Sequence, residues 1–507
     1  MTRRAYPRPS GANPGGRLRR MRADTAWKTL AADSTRGWFD LRTEDLGDVP
    51  VRIFMTRRLL EDLEDGVYRQ IVNATRFPGV RMVCITPDAH FGYGVPVGSV
   101  IITDGSIAMG PVGYDIGCGM VSACSDVPAS AATPDACLRF NREVIARIGM
   151  GAGEAGRTAR LSGIDRDEFQ RIIRGGAEYY VARYGERVDR QRAERDVLPV
   201  DDGWDVPWHG EGRPERGVTQ LGSLGGGNHF IELQRNQEGR IFLQVHTGSR
   251  GFGHGMATNY FQMARDERPA EITHLDLGYF TPDSVHHRSY LNAVAAGANY
   301  AIVNRLAIFE EIAAAFRTVF KADLELVYEI SHNLVQREWH PELGEVWVHR
   351  KGATRALPAG HPQLAGTVWE QTGHPVLIPG SNRDWSYILR PLPGAVESGF
   401  SVNHGAGRRM ARAQAMRALS QDAVDREYRA AGILVNTDGR VPLDESAAVY
   451  KSSREVVQAV THAGLAEVEH ELWPIASVKA MDARRPRRTR GVRDLSTSQR
   501  HGRSRSR

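Results

Sequence analysis

Between Pro87 and Asp126 the chain reads PDAHFGYGVPVGSVIITDGSIAMGPVGYDIGCGMVSACSD. A helix does not survive that density of glycine, and the Val, Ile and Ser between the glycines favour extended backbone. Glycines inside strands mark bulges or places where another backbone or a ligand comes close. The stretch is therefore expected to be short β segments meeting at turns, with Asp88, His90, Asp115 and Cys118 interleaved among them. Asp115 and Cys118 lie in the frame G-x-D-x-G-C-G, where flanking glycines fit two side chains turned toward one centre. A carboxylate and a thiolate can ligate a divalent metal, and a thiolate can bridge two. A glycine-rich turn with a merely buried cysteine reads equally well from these residues alone.

Gly222–Leu233 (GSLGGGNHFIEL) repeats the pattern: three glycines, then Asn228-His229, then a strand from Phe230. A strand at Ile241–Val245 hands over to His246 in HTGSRG, and a strand at Leu324–Ile330 delivers Ser331-His332-Asn333. One histidine beside a glycine turn is most often structural. Three of them together with Asp115 and Cys118 make a metal-site composition. Thiolate and imidazole softness by itself favours zinc or iron. Arg250, in Ser249-Arg250-Gly251, adds a guanidinium suited to a phosphate.

Ser401–Arg412 reads SVNHGAGRRMAR. A short β segment leads to His404, small residues follow at Gly405-Ala406-Gly407, and a helical pattern is expected from Arg408. Free N–H groups at a helix start favour an anion, and a histidine beside a phosphate cradle can attack phosphorus. The plain alternative is a glycine turn carrying a surface histidine.

The remaining pattern alternates helices and strands. Helices are expected at Thr56–Thr75, Asp165–Gly185 and Glu455–Val468, with one or two long ones over His287–Phe320. Strands are expected at Val49–Phe54, Arg81–Ile85, Val346–Arg350, Tyr387–Arg390 and Trp473–Val478. Glu186–Arg216, with Trp204, Trp208 and His209 among prolines and glycines, reads as an excursion from the core, either an RNA-facing or lid segment or a solvated loop. Length alone would allow two or three domains in 507 residues.

The net charge of +6 belongs to the ends. Residues 1–22 contribute +7 and residues 482–507 contribute +8, which leaves about −9 for everything between. Bulk charge therefore gives no reason for the body to bind nucleic acid. Both ends have the composition of disordered arms, set here at 1–25 and 482–507 around a folded body at 26–481. The C-terminal arm is suited to tethering RNA without sequence preference. Met21 and Met55 are alternative starts. Four scattered cysteines point to a reducing compartment, the cytoplasm, and no apolar run is long enough for a transmembrane helix.

Together these stretches resemble the RtcB family of RNA ligases. The matching segments are PDAHFGYG from Pro87, GYDIGCGM from Gly113, LGGGNHFIEL from Leu224, HTGSRG from His246, SHN from Ser331, RKGA from Arg350, PGS from Pro379 and NHGAGR from Asn403, in family order from about residue 49 to 480. The resemblance implies one large α+β domain with mixed sheets, surrounding helices and a central dinuclear metal cleft. It implies that His404 attacks the α-phosphorus of GTP and becomes guanylylated. It implies that Asp115, Cys118, His229, His246 and His332 hold two manganese ions. It places Asn228, His229, Phe230, Ile231, Glu232, His332, Asn333, Pro379, Gly380, Ser381, Asn382, Ser386, His404, Gly405, Ala406, Gly407 and Lys479 along the bound nucleotide, and Arg250 and Arg408 on RNA or phosphate. The implied substrates are RNA 3′-phosphate or 2′,3′-cyclic phosphate ends and 5′-hydroxyl ends, joined in tRNA splicing or RNA repair. An archease is the candidate activating partner, and no membrane is involved. The loop after Pro379-Gly380-Ser381 departs from the family: Asn382-Arg383-Asp384-Trp385 stands where Met-Gly usually begins. A metal-dependent phosphoesterase or a non-catalytic RNA-binding protein on the same scaffold is the competing reading, and it would not need His404.

Overall fold

The structure is a computed structural model that describes residues 23–186, 188–193, 198–208, 210 and 212–480. His209 and nearly all of both basic arms lie outside that range. The first described element, the helix Ala23–Leu30, begins three residues inside the stretch assigned to the N-terminal arm.

Among the described residues the strands form two large sheets. One has the order Ala31–Asp33, Phe39–Leu41, Val51–Ile53, Val80–His90, Val97–Thr103, Gly344–Lys351, Asn333–His340. The other has the order Glu325–Ser331, Gly119–Pro128, Arg240–Thr247, Phe230–Asn236, Ala466–Val478, Ser386–Pro391, Val376–Ile378, with Leu434–Val435 added in parallel to the Ala466–Val478 strand. Most pairings are antiparallel, so side chains alternate cleanly between the two faces. On the second sheet Val121, Ala123, Ile231, Leu233, Leu243 and Val245 face one way, into the main core. Met120, Phe230, Phe242, Ile330 and Ile388 face the other way, into a smaller cluster.

The main core is capped by His287–Phe320, a single 34-residue helix rather than two. Its middle is buried nearly all round, which its Ala-rich, apolar sequence permits. The first sheet is packed on one face by the helix Val67–Ala74 and on the other by residues of the Ser386–Pro391 strand and the Ser453–His462 helix.

Several expected elements have different bounds. Thr56–Thr75 is two helices, Arg57–Glu61 and Val67–Ala74, because Glu64-Asp65-Gly66 turns the chain and Glu64 accepts the Phe91 N–H at 3.0 Å. The Arg166–Arg183 helix kinks at Gly176, whose φ is 50°. The last helix stops at His462, since Gly464 breaks it and the final strand already begins at Ala466. The segment after Glu186 is not wholly an excursion: Trp204 and Val206 are buried in the main core, and Trp204 Nε1 donates to Ser289 Oγ at 3.0 Å. None of the described helices is long and apolar enough to cross a membrane.

His332 sits at the junction of the two sheets. Ser331 ends an edge strand of one and Asn333 begins an edge strand of the other. The His332 N–H donates to the Cys118 carbonyl and the Gly117 N–H to the Asn333 carbonyl, both at 2.8 Å. The crossing is thereby fixed against the D-x-G-C-G turn.

Candidate active site

Strand register brings the expected ligands together. Gly119 pairs with Thr247 on one side and Ser331 on the other, and His246 pairs with both Met120 and Phe230. Cys118, His246 and His332 therefore lie at the same end of three adjacent strands, and His229 immediately precedes the fourth. Cys118 Sγ is 3.2 Å from His246 Nε2 and 3.6 Å from His229 Nε2. His246 Nε2 is 3.2 Å from His332 Nε2, and His229 Nε2 is 3.2 Å from Asp115 Oδ2.

The second bonds of these histidines decide their tautomers. His229 Nδ1 lies 2.9 Å from the Leu224 carbonyl and His246 Nδ1 lies 3.2 Å from the Asn228 carbonyl. A carbonyl can only accept, so Nδ1 carries the proton and Nε2 presents its lone pair to the cluster. Burial holds His246 and His332 well below the usual imidazole range, with the neighbouring imidazoles adding to the effect, so both are neutral. Asp115 is buried, which alone would raise it, but the Arg250 guanidinium and the Ser249 N–H act against burial and hold the carboxyl below its usual range. Its Oδ1 also accepts the Ser249 N–H at 2.9 Å. Burial and the Asp115 charge push the Cys118 thiol well above its usual value, so a thiolate there requires an adjacent cation. Cys118, His229 and His246 offer donor atoms within 4.8 Å of one another. Aimed lone pairs, an ionised carboxylate and a buried sulfur fit a divalent metal.

Gly117 is what lets the turn lie so deep. Its φ is +73°, and a Cβ there would meet Ala298 Cα of the long helix at 2.7 Å.

His404 follows the short strand Ser401–Asn403 and stands against the cluster, its ring centroid 4.7 Å from that of His332. The expectation of a helix start beside it is not met. Arg408–Arg409 is held against Val449 and Tyr450, and the helix runs from Arg412 to Ala418. What holds His404 is Asp88. Its Oδ2 lies 2.6 Å from His404 Nδ1 and accepts the His404 N–H at 3.2 Å, while its Oδ1 accepts from Thr86 Oγ1 at 2.6 Å. Burial alone would raise Asp88, but the bonds and charge of His404 and the Thr86 hydroxyl outweigh it and hold the carboxyl low. Gly407, with φ +76°, passes over the Asp88 carbonyl so closely that a Cβ would lie 2.0 Å from it.

A cleft of about 420 Å³ opens over these groups. Asp115, Cys118, His246, His332, Asn333 and His404 line it, with Gly405, Ala406 and Gly407. Asn228, Phe230, Glu232, Pro379, Gly380, Ser381, Asn382, Arg408 and Lys479 complete the expected set on its wall. His229 and Ile231 are not on the wall: His229 turns to the ligand cluster, and alternation turns Ile231 into the main core. Ser386 supports from behind: its Oγ accepts the Gly380 N–H and a Gln234 Nε2 hydrogen, each at 3.0 Å. Arg250 also stands behind the site, its guanidinium on Ser223 Oγ and the Gly151 carbonyl, each at 3.2 Å. Arg408 reaches the cleft but is tied to Glu445 at 3.2 Å and to the Asp444 carbonyl at 2.8 Å.

Sequence reasoning gave Asp88 no role, and it passed over Arg412, Glu445 and Tyr450 entirely. Glu445 is buried and gathers Arg408, Arg412, Tyr450 and Lys479 around one carboxylate. Nothing in the local sequence marks it. The departing loop is fully anchored. Asn382 bonds Tyr428, Arg383 pairs with Glu427 at 2.7 Å, Asp384 accepts the Ser453 N–H at 2.9 Å, and the Trp385 ring lies edge-on to Trp473 at 5.0 Å.

Comparisons with known proteins show what the chain is similar to. The chain is 35% identical over 441 residues to the RNA-splicing ligase RtcB of Mycobacterium tuberculosis, covering 81% of this chain and all of that protein. It is 34% identical over 464 residues to the tRNA-splicing ligase RtcB of Thermococcus kodakarensis, covering 85% and 95%, and 32% identical over 473 residues to that of Nanoarchaeum equitans, covering 87% and 97%. The sequence model of the family described as tRNA-splicing ligase RtcB matches residues 70–480, and with that extent of agreement the chain belongs to the RtcB family.

Proposed function

We propose that this protein is an RNA ligase that uses GTP and manganese to join an RNA 3′-phosphate or 2′,3′-cyclic phosphate end to a 5′-hydroxyl end. The observation that carries the reading is the Asp88–His404 pair beside the metal-ligand cluster. With Nδ1 committed to Asp88 Oδ2 at 2.6 Å, Nε2 of His404 holds the lone pair, which is what a nucleophile at phosphorus needs. The competing metal-dependent phosphoesterase, with metal-bound water as its nucleophile, would not need that arrangement.

Asp115, Cys118, His229, His246 and His332 would hold the metal. Two divalent cations bound there would neutralise triphosphate oxygens and stabilise departing pyrophosphate. His404 Nε2 attacks the α-phosphorus, the bond to pyrophosphate breaks, and Asp88 stabilises the imidazolium that forms, as a buried carboxylate does in a Ser-His-Asp triad. The guanylate then passes to the RNA 3′-phosphate, a cyclic end having first been opened. Attack by the 5′-hydroxyl expels GMP and leaves a 3′,5′ bond. Glu232, at the far end of the cleft, offers carboxylate oxygens that match the N1–H and 2-amino donors of guanine, and Lys479 lies 5.3 Å over the Phe230 ring beside it.

The test is incubation with α-labelled GTP and manganese. An acid-labile, alkali-stable label on the protein, absent from His404→Ala, is the expected result. A His404→Ala protein that retains full phosphate-releasing activity would overturn the reading in favour of a phosphoesterase.

A further inference from the structure

The cleft has two chemically distinct ends. The ligand cluster and His404 form one. Phe230 pairs with His246 at that end, and Glu232 lies two residues further along the same face, about 6–7 Å on. Glu232 is tied to the Pro379-Gly380-Ser381 loop through Gln234, whose Nε2 donates to Glu232 Oε1 at 2.7 Å and to Ser386 Oγ at 3.0 Å. This is the end available to a nucleobase.

Asn382 stands in the same wall and is 2% exposed. Its Oδ1 accepts the Tyr428 hydroxyl. The Tyr428 oxygen also accepts the Ala447 N–H at 2.9 Å, and turning the carboxamide around would take the acceptor from the Tyr428 proton, so Asn382 keeps Oδ1 toward the hydroxyl. That leaves Asn382 Nδ2 as a buried donor without a protein partner. A buried donor so placed recovers its lost hydration when a ligand brings an acceptor.

We propose that Asn382, oriented by Tyr428, is a base-reading residue that donates from Nδ2 to the 6-oxo group of a purine and so selects guanine over adenine. The inference deepens the nucleotide reading of the cleft and rests on it. The chemistry is complementary to Glu232: a carboxylate accepts from N1–H and the 2-amino group, and the neighbouring edge of guanine presents an acceptor. Adenine places an amino group there, so donor would face donor. A site built to hydrogen-bond one group rejects the analogue lacking it more strongly than a shape match can.

The experiment is equilibrium binding to the full-length His404→Ala protein with manganese, which separates recognition from transfer. GTP, ATP and 2-aminopurine riboside triphosphate are the probes; the last keeps the 2-amino group and lacks the 6-oxo group and, with it, the N1–H, so it is compared only between parent and variant. Adding Asn382→Asp, which keeps the size and replaces the donor with an acceptor, should weaken GTP about ten-fold or more and leave 2-aminopurine riboside triphosphate unchanged, so that the preference collapses. Tyr428→Phe, which frees the amide to rotate, should lose part of the preference with no change in metal content. An unchanged GTP-to-ATP ratio in Asn382→Asp, with GTP still bound, overturns the proposal and leaves the ligase reading standing. A His404→Ala parent that binds none of the three nucleotides overturns both.

Discussion

Asp88 and His404 stand 316 residues apart in the chain and meet at 2.6 Å, carboxylate oxygen to imidazole nitrogen. On the proposed reading the contact favours the proton on Nδ1, leaves Nε2 as the nucleophilic nitrogen and supplies the charge that an imidazolium needs. Asp88→Asn keeps the shape and removes that charge. The rate of histidine labelling by GTP should fall about 10³- to 10⁴-fold, as in triads whose carboxylate is neutralised, with metal content unchanged. Single-turnover labelling measures it, and a fall of less than ten-fold would mean that Asp88 only packs.

A metal held by the ligand cluster would be coupled to the fold. A ligand bound at 100 times its Kd adds about 2.7 kcal/mol of apparent stability. Titrating manganese into the metal-free protein should raise its melting temperature, and chelation should abolish labelling. His246→Ala, which removes a lone pair 3.2 Å from both Cys118 and His332, should show no such rise.

Glu232 makes stability and binding depend on pH in opposite directions. Burial raises its carboxyl to about 7, against the opposing effects of Gln234 and Lys479. In the unfolded chain it ionises near 4.5, so between 4.5 and 7 the folded state binds the extra proton and stability falls as pH rises. The full shift corresponds to about 3 kcal/mol. Glu232→Gln should match the wild type in melting temperature near pH 4.5 and exceed it above pH 7. On the proposed reading, GTP binding by the wild type should instead weaken below pH 7, because protonated Glu232 could no longer accept both guanine donors. Melting curves and binding isotherms across that range test both signs.

Gly117→Ala tests the packing of the turn. The left-handed backbone and the 2.7 Å approach to Ala298 leave no room for a methyl group. The substitution should cost about 1–3 kcal/mol by overpacking and displace Asp115 relative to Cys118, so that metal stoichiometry falls. Metal analysis of the folded variant decides it.

Arg350 joins the first sheet to the strand that carries His404. Its guanidinium pairs with Glu338 at 2.5 and 2.9 Å, and its Nε donates to Ser401 Oγ at 2.9 Å, all of it buried. Lysine cannot reproduce that fork. Arg350→Met, which leaves Glu338 buried and unpaired, should destabilise by about 3–5 kcal/mol in denaturant unfolding, and Arg350→Lys by less.

The sequence alone determined the donor set. Glycine clusters and histidines at strand ends are local features, and local features survive in a string of letters. The strands at Ile241–Val245 and Leu324–Ile330, the buried run His287–Phe320 and the five metal-ligand candidates were all legible for that reason. Tertiary structure decided the partnerships. Asp88 acts only because Gly407 lets the two chains cross. Glu445 gathers Arg408 and Arg412 from one distant segment, Lys479 from another and Tyr450 from its own turn. Ile231, Ser386 and Arg250 belong to the motifs yet stand off the cleft, since strand alternation and the packing of the second sheet turn them away from it. The resemblance placed Asn382 along the nucleotide, but which way its amide faces depends on Tyr428, contributed by a separate helix. The physical reason is the same in each case. Residue type sets what a group can donate, accept or ligate, and that is written locally. Which group it meets depends on register and on the crossing of two sheets, which emerge only when the whole chain has packed.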